Sequence, residues 1–156
     1  MVARLAALAL LATLLMGANG GRPDVRFVVV VNAANPVSVL PRERLAKIFL
    51  REISSWENGG EILPVEQTDK SLIRIAFARA VMNQSVASVK RDWQERIFSG
   101  NESPPPERVT DADVLTYVRS NPGAIGYILE GTDLGPGVKA VAITSTEQSG
   151  AVHTHD

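Results

Sequence analysis

The sequence predicts an α/β domain, a mainly parallel or mixed sheet of about four to five strands flanked by helices. Three observations carry this. Residues 25–31 are almost unbroken apolar and β-branched, the mark of a strand covered on both faces. Helical stripes separate the strand-like runs: Leu45, Ile48 and Phe49, then Val86, Val89, Trp93 and Ile97, then Val114, Leu115 and Val118. Finally, Asn121-Pro122-Gly123-Ala124-Ile125-Gly126-Tyr127 joins a helix stop to a strand start. Proline cannot continue a helix and pushes Asn121 out of the α region, and Gly123 allows a tight turn. Residues 124–129 then read as a short buried strand. Ala124 and Gly126 alternate along it, leaving one face bare for another backbone or a ligand.

Taken in order, residues 1–20 hold one positive charge (Arg4), an apolar run over 5–16 and small residues at Gly17, Ala18 and Gly20. This is a secretory signal peptide cut after Gly20, too short for a membrane span of about 20 apolar residues. With no Cys near the cut, a lipid anchor is excluded. After the first strand, Asn32-Ala33-Ala34-Asn35-Pro36 breaks the pattern, and a helix follows from about Pro41. Trp56 and the turn Asn58-Gly59-Gly60 close this unit, and residues 62–65 form a second short strand. Ser71 is the N-cap of a helix to about Met82 with Ile73, Phe77 and Ala80 on one face. Ser85 caps the next helix, whose opposite face carries Lys90, Arg91, Asp92, Glu95 and Arg96, with Gly100 at its end. Ser103-Pro104-Pro105-Pro106 is a stiff connection. Thr110 opens a capping-box-like Thr-Asp-Ala-Asp. Residues 131–137 form a loop and 138–143 a final strand. The expected organisation is a signal peptide (1–20), one domain (21–145) and a flexible polar tail (146–156).

Composition narrows the chemistry. The 156 residues include no Cys and carry a formal net charge of −1. An exported domain of this kind is held by its core and not by disulfides, and it has no basic footprint for nucleic acid. The two histidines, His153 and His155, sit in the tail, so no Ser-His or Cys-His pair has a base inside the domain. His153, His155 and Asp156 read as tail and not as a metal site. Asp111 and Asp113 sit at a helix start, where they serve capping. Residues 131–137 are glycine-rich but lack the order and lysine of a nucleotide loop. The reading is of a non-enzyme without cofactor or metal.

Val30-Val31-Asn32, Asn35-Pro36-Val37, Leu40 with Leu45, Ile48-Phe49, Trp56 and Pro122-Gly123-Ala124-Ile125-Gly126-Tyr127 occur in an order and spacing similar to the phosphate-type solute-binding proteins of ABC importers. The chain resembles a single lobe of such a protein over residues 25–143. The resemblance implies a three-layer-like lobe of a type II periplasmic binding protein, with Trp56 in a packing role. The cleavable signal peptide predicts a periplasmic or secreted location. Where that family carries an Arg-x-Asp-Gly-Ser-Gly-Thr phosphate cradle, this sequence reads Glu66-Gln67-Thr68-Asp69-Lys70-Ser71-Leu72. An acid replaces the arginine and both glycines are gone, so the backbone approaches an anion less closely.

The candidate ligand site is the start of the helix after Val65, where free N–H groups and the helix dipole favour a small oxyanion such as phosphate. Gln67, Thr68 and Ser71 would donate hydrogen bonds, Lys70 would add charge, and Asn32 would reach in from the first strand. Against this stands a plainer reading, favoured for each of these positions: Ser71 or Asp69 caps the helix, Lys70 is solvated, and Asn32 and Asn35 make turns. Trp93 packs in the core, and Tyr127 either exposes its hydroxyl or buries it against a partner. Two functions stay open: a binder of a small anion, serving a membrane transporter, and a periplasmic protein-interaction module that has lost solute binding.

Overall fold

The computed structural model describes residues 24–100 and 102–145; the expected signal peptide and the histidine-bearing tail lie outside them. The apolar run after Arg26 becomes the central strand β1 (Phe27–Asn32). A short strand β2 (Val39–Pro41) leads straight into α1 (Arg42–Phe49). Next come β3 (Leu63–Pro64), β4 (Glu66–Gln67) and α2 (Leu72–Phe77), continued by one π turn, Ala78–Met82. The remainder is α3 (Val86–Ser99), β5 (Glu107–Arg108), α4 (Asp111–Ser120), β6 (Ala124–Leu129) and β7 (Val138–Thr144).

The main sheet has the order β2-β7-β1-β6-β3. β1 is antiparallel to both β6 and β7, with Val30 opposite Gly126 and Ala140. β2 runs parallel to β7 and β3 parallel to β6. After Val65 the chain leaves this sheet, and β4 pairs in parallel with β5. The sheet is mixed, as expected, with helices on both faces. On one face Val29, Val31, Ile125 and Tyr127 pack against Leu45, Ile48 and Phe49 of α1 and Phe77 of α2. On the other, Val30, Ala124 and Ile128 pack against Val114, Leu115 and Val118 of α4.

The bare face of β6 is filled by this second layer and not by a ligand. A Cβ on Gly126 would stand 2.8 Å from both Val65 Cγ1 and Val114 Cγ1. At Gly123 it would meet the Glu61 carbonyl oxygen at 2.0 Å, so the turn into β6 has room only for glycine. Caps fall where the sequence places them: the hydroxyls of Ser71, Ser85 and Thr110 accept the N–H groups of Arg74, Ser88 and Asp113.

Two stripes differ in detail. Ala80 is exposed, and Ala78 and Val81 are buried in its place, because the π turn rotates the last residues away from the 3.6-residue register. Ile97 is half exposed. Its place over Trp93 is taken by Arg96, whose guanidinium lies 4.1 Å from the indole centroid and donates to the Leu50 carbonyl. The two- and three-residue strands β2, β4 and β5 carry no pattern long enough to register as strands in the sequence.

Candidate functional site

β4, β5 and β6 end on one face of the molecule, and α2 and α4 begin there. In α/β sheets this is the position at which ligands lodge, outside the carboxyl ends of parallel strands. Two helix N-termini bring unpaired N–H groups and positive dipole ends to the same place. This face is therefore built for negative charge, and the chain supplies that charge itself.

Asp111, the first residue of α4, occupies the centre. Its Oδ1 accepts from the Gln67 amide at 2.8 Å. Its Oδ2 accepts from the Leu129 N–H at 3.2 Å and the Thr132 hydroxyl at 3.5 Å. Gln67 is buried, and both ends of its side chain are engaged. The amide also donates to the Tyr127 carbonyl, and Oε1 accepts from the Ser71 hydroxyl at 2.6 Å.

Behind this layer lies a buried acid–base group. Glu66, Arg74 and Tyr127 are each almost fully enclosed. The Tyr127 hydroxyl donates to Glu66 Oε2, and the Gln67 N–H donates to the same hydroxyl oxygen. Arg74 sits 3.6 Å from Glu66 through Nε, and Nη1 binds Glu107 at 2.5 Å and the Gln67 carbonyl at 2.7 Å. The Tyr127 ring stacks on Phe77 with centroids 3.9 Å apart, fixing the hydroxyl in line with the carboxylate. Burial pushes the Glu66 carboxyl above its ordinary value, while Arg74 and the tyrosine hydroxyl pull it back only in part. Burial also raises the Tyr127 phenol, helped by the adjacent Glu66 charge, so it stays a donor. Such a group specifies one arrangement of side chains, and each member is costly to leave alone.

The five residues expected at the ligand site divide. Gln67, Thr68, Lys70 and Ser71 do come together at the start of α2. Ser71 caps and Gln67 is locked internally, whereas the Thr68 hydroxyl and the exposed Lys70 ammonium bond to nothing among the described residues. Asp69 pairs with Lys90 at 2.7 Å, which holds its carboxyl below the usual range. Asn32 lies elsewhere. It follows Val31, which pairs with Ile125 at the amino end of β6, and its amide donates to the Val118 and Arg119 carbonyls at the end of α4. Its Oδ1 takes the Ala34 N–H, so it makes a turn and caps a helix. Sequence reasoning missed Arg74 and gave Asp111 only a capping role. A buried Glu66 at a strand end needs a cation, and that need is the one signal for Arg74. Leu72, Val109 and Leu129, exposed at 59%, 74% and 44%, each lie within two residues along the chain of a member of this network.

Residues 25–153 match the family model of the PBP superfamily domain. Among solved structures, an ABC-type phosphate transport receptor from Vibrio cholerae superposes with a TM-score of 0.61 at 25% identity, over 75% of this chain and 45% of that one. A possible phosphate binding protein from Planctomyces limnophilus gives 0.60 at 18% identity, over 83% and 45%. PstS from Borrelia burgdorferi gives 0.54 at 17%, over 76% and 47%. No curated protein matches the chain by sequence. The chain spans less than half the length of these solved relatives. It belongs to the PBP superfamily and has the periplasmic-binding-protein fold.

Proposed function

We propose that this PBP superfamily member is an exported relative of phosphate-type solute-binding proteins whose described lobe acts by engaging another protein of the cell envelope. One observation carries the reading: the donors at this face close on the chain's own Asp111, and a buried glutamate stands directly behind them. A free oxyanion entering this face meets two carboxylates and few unspent donors, and desolvating it there without compensation is unfavourable. Leu72, Val109 and Leu129, next to this network in the chain, are exposed apolar side chains of the kind a protein partner covers. No described helix is long and apolar enough to cross a membrane, which accords with a domain working outside the bilayer.

A second reading retains a small oxyanion as ligand. It is supported by the unspent Thr68 hydroxyl and Lys70 ammonium beside Ser71, and by the Vibrio cholerae structure's being a phosphate transport receptor. Thermal unfolding with phosphate and sulfate separates the two. The first reading expects no stabilisation, and a photo-crosslinker at Leu72 in cells that captures one specific envelope protein, lost in Val109→Asp. A phosphate-dependent rise in melting temperature that vanishes in Lys70→Glu overturns it in favour of the second.

A further inference from the structure

At the amino end of β6 two adjoining cavities, of about 320 and 310 Å³, share Asn35, Trp56 and Asn58 as lining residues. The first runs along the β2 edge between the loop at 33–38 and the turn at 56–58, and Val37, Pro41 and Arg44 complete its walls. The second opens toward Pro122 and Gly123. Volumes of this size suit a small organic molecule, and the lining is of the type such sites use, apolar walls with a few fixed polar groups.

Asn35 is only 6% exposed. Its Oδ1 accepts the Val37 N–H at 3.0 Å, which locks the amide and leaves Nδ2 without a hydrogen-bond partner among the described residues. That nitrogen keeps contact with solvent on the cavity side, so an acceptor on a bound molecule would take the place of water. Arg44 supplies charge in the same cavity. Its one carboxylate neighbour, Glu57, is 3.8 Å away and 87% exposed, a separation at which water screens the pair. Trp56 is rigid, because its indole N–H is committed to the Gly123 carbonyl at 3.0 Å, and it offers an apolar wall.

We propose that this groove binds a small organic carboxylate with an apolar body, its carboxylate between Arg44 and the Asn35 amide and its body against Trp56 and Val37. The site is independent of the Asp111 network at the other end of β6. Glu57 acts as the weak internal competitor for Arg44.

Nuclear magnetic resonance titration of the full domain with benzoate and N-acetyl-leucine, against benzamide and N-acetyl-leucinamide, tests this. The two acids represent a free aromatic acid and a peptide carboxyl terminus, and whichever binds tighter identifies the source. The expected result is saturable shifts of the Trp56 indole and Asn35 side-chain resonances with the acids and far weaker effects with the amides. Arg44→Gln should lose about tenfold in acid affinity, the size of one charge-assisted hydrogen bond. Glu57→Gln, which leaves every wall of the cavity in place, should tighten acid binding about two- to threefold and leave the amides unchanged. Equal binding of acids and amides, no saturable shift at these residues, or an Arg44→Gln or Glu57→Gln variant that binds like the wild type overturns the proposal.

Discussion

The two ends of β6 handle polar groups in opposite ways. At the carboxyl end, Leu129, Gln67 and Thr132 donate to Asp111, Tyr127 donates to Glu66, and Arg74 is shared between two glutamates and a carbonyl. At the amino end, Asn35 and Arg44 face cavities with their donors uncommitted or loosely paired. The first end sits where the architecture invites an anion, yet the chain has filled it from within. The second has no such architectural warrant, yet it keeps open donors beside an aromatic wall. The binding capacity of a lobe is thus set by which donors remain unspent, and fold alone does not fix it.

The sharpest way to break the comparison is Arg74→Ala. It leaves Glu66 buried without a cation and should cost about 3–5 kcal/mol in urea unfolding; a cost below about 1 kcal/mol would mean that the closed end is not held by this pair. Asp111→Ala ranks next. It removes one of the two acceptors of the Gln67 amide and orphans the Leu129 N–H, at about 1–3 kcal/mol, and should create phosphate-dependent stabilisation absent from the wild type. If the variant loses stability but gains no anion response, Asp111 is structural only.

Glu66→Gln probes the same end through pH. Because the folded carboxyl lies above its ordinary value of 4.5, its stabilising contribution is complete below that pH. The contribution is lost as pH rises through the folded value. The melting temperature of Glu66→Gln relative to wild type should therefore increase with rising pH and then level off; a difference that is flat or falls with pH contradicts the burial argument. The smallest effect belongs to the open end. Trp56→Phe loses one indole hydrogen bond, about 1 kcal/mol, and should spare the pH behaviour entirely.

The long elements were legible because each has a period and a stop. β1 is a continuous β-branched run, β6 follows Pro122-Gly123, and three caps announce their helices. The candidate site was legible only in place. The start of α2 is where donors gather, but their occupancy is set by Asp111, 44 residues beyond Gln67. No local pattern encodes a contact of that range. Asn32 makes the turn favoured for it in the sequence, but its other partners, the last carbonyls of α4, are 86 and 87 residues away and leave no local signal. Ala80 failed because a single π turn is invisible to a periodicity argument.

The first and last strands of the sheet lie side by side, Val29 opposite Val141, so that chain enters at Phe27 next to where it leaves near Ile143. Entry and exit therefore adjoin inside the sheet itself. A domain whose two ends meet in this way can be joined to a host protein's surface loop while its core stays as it is.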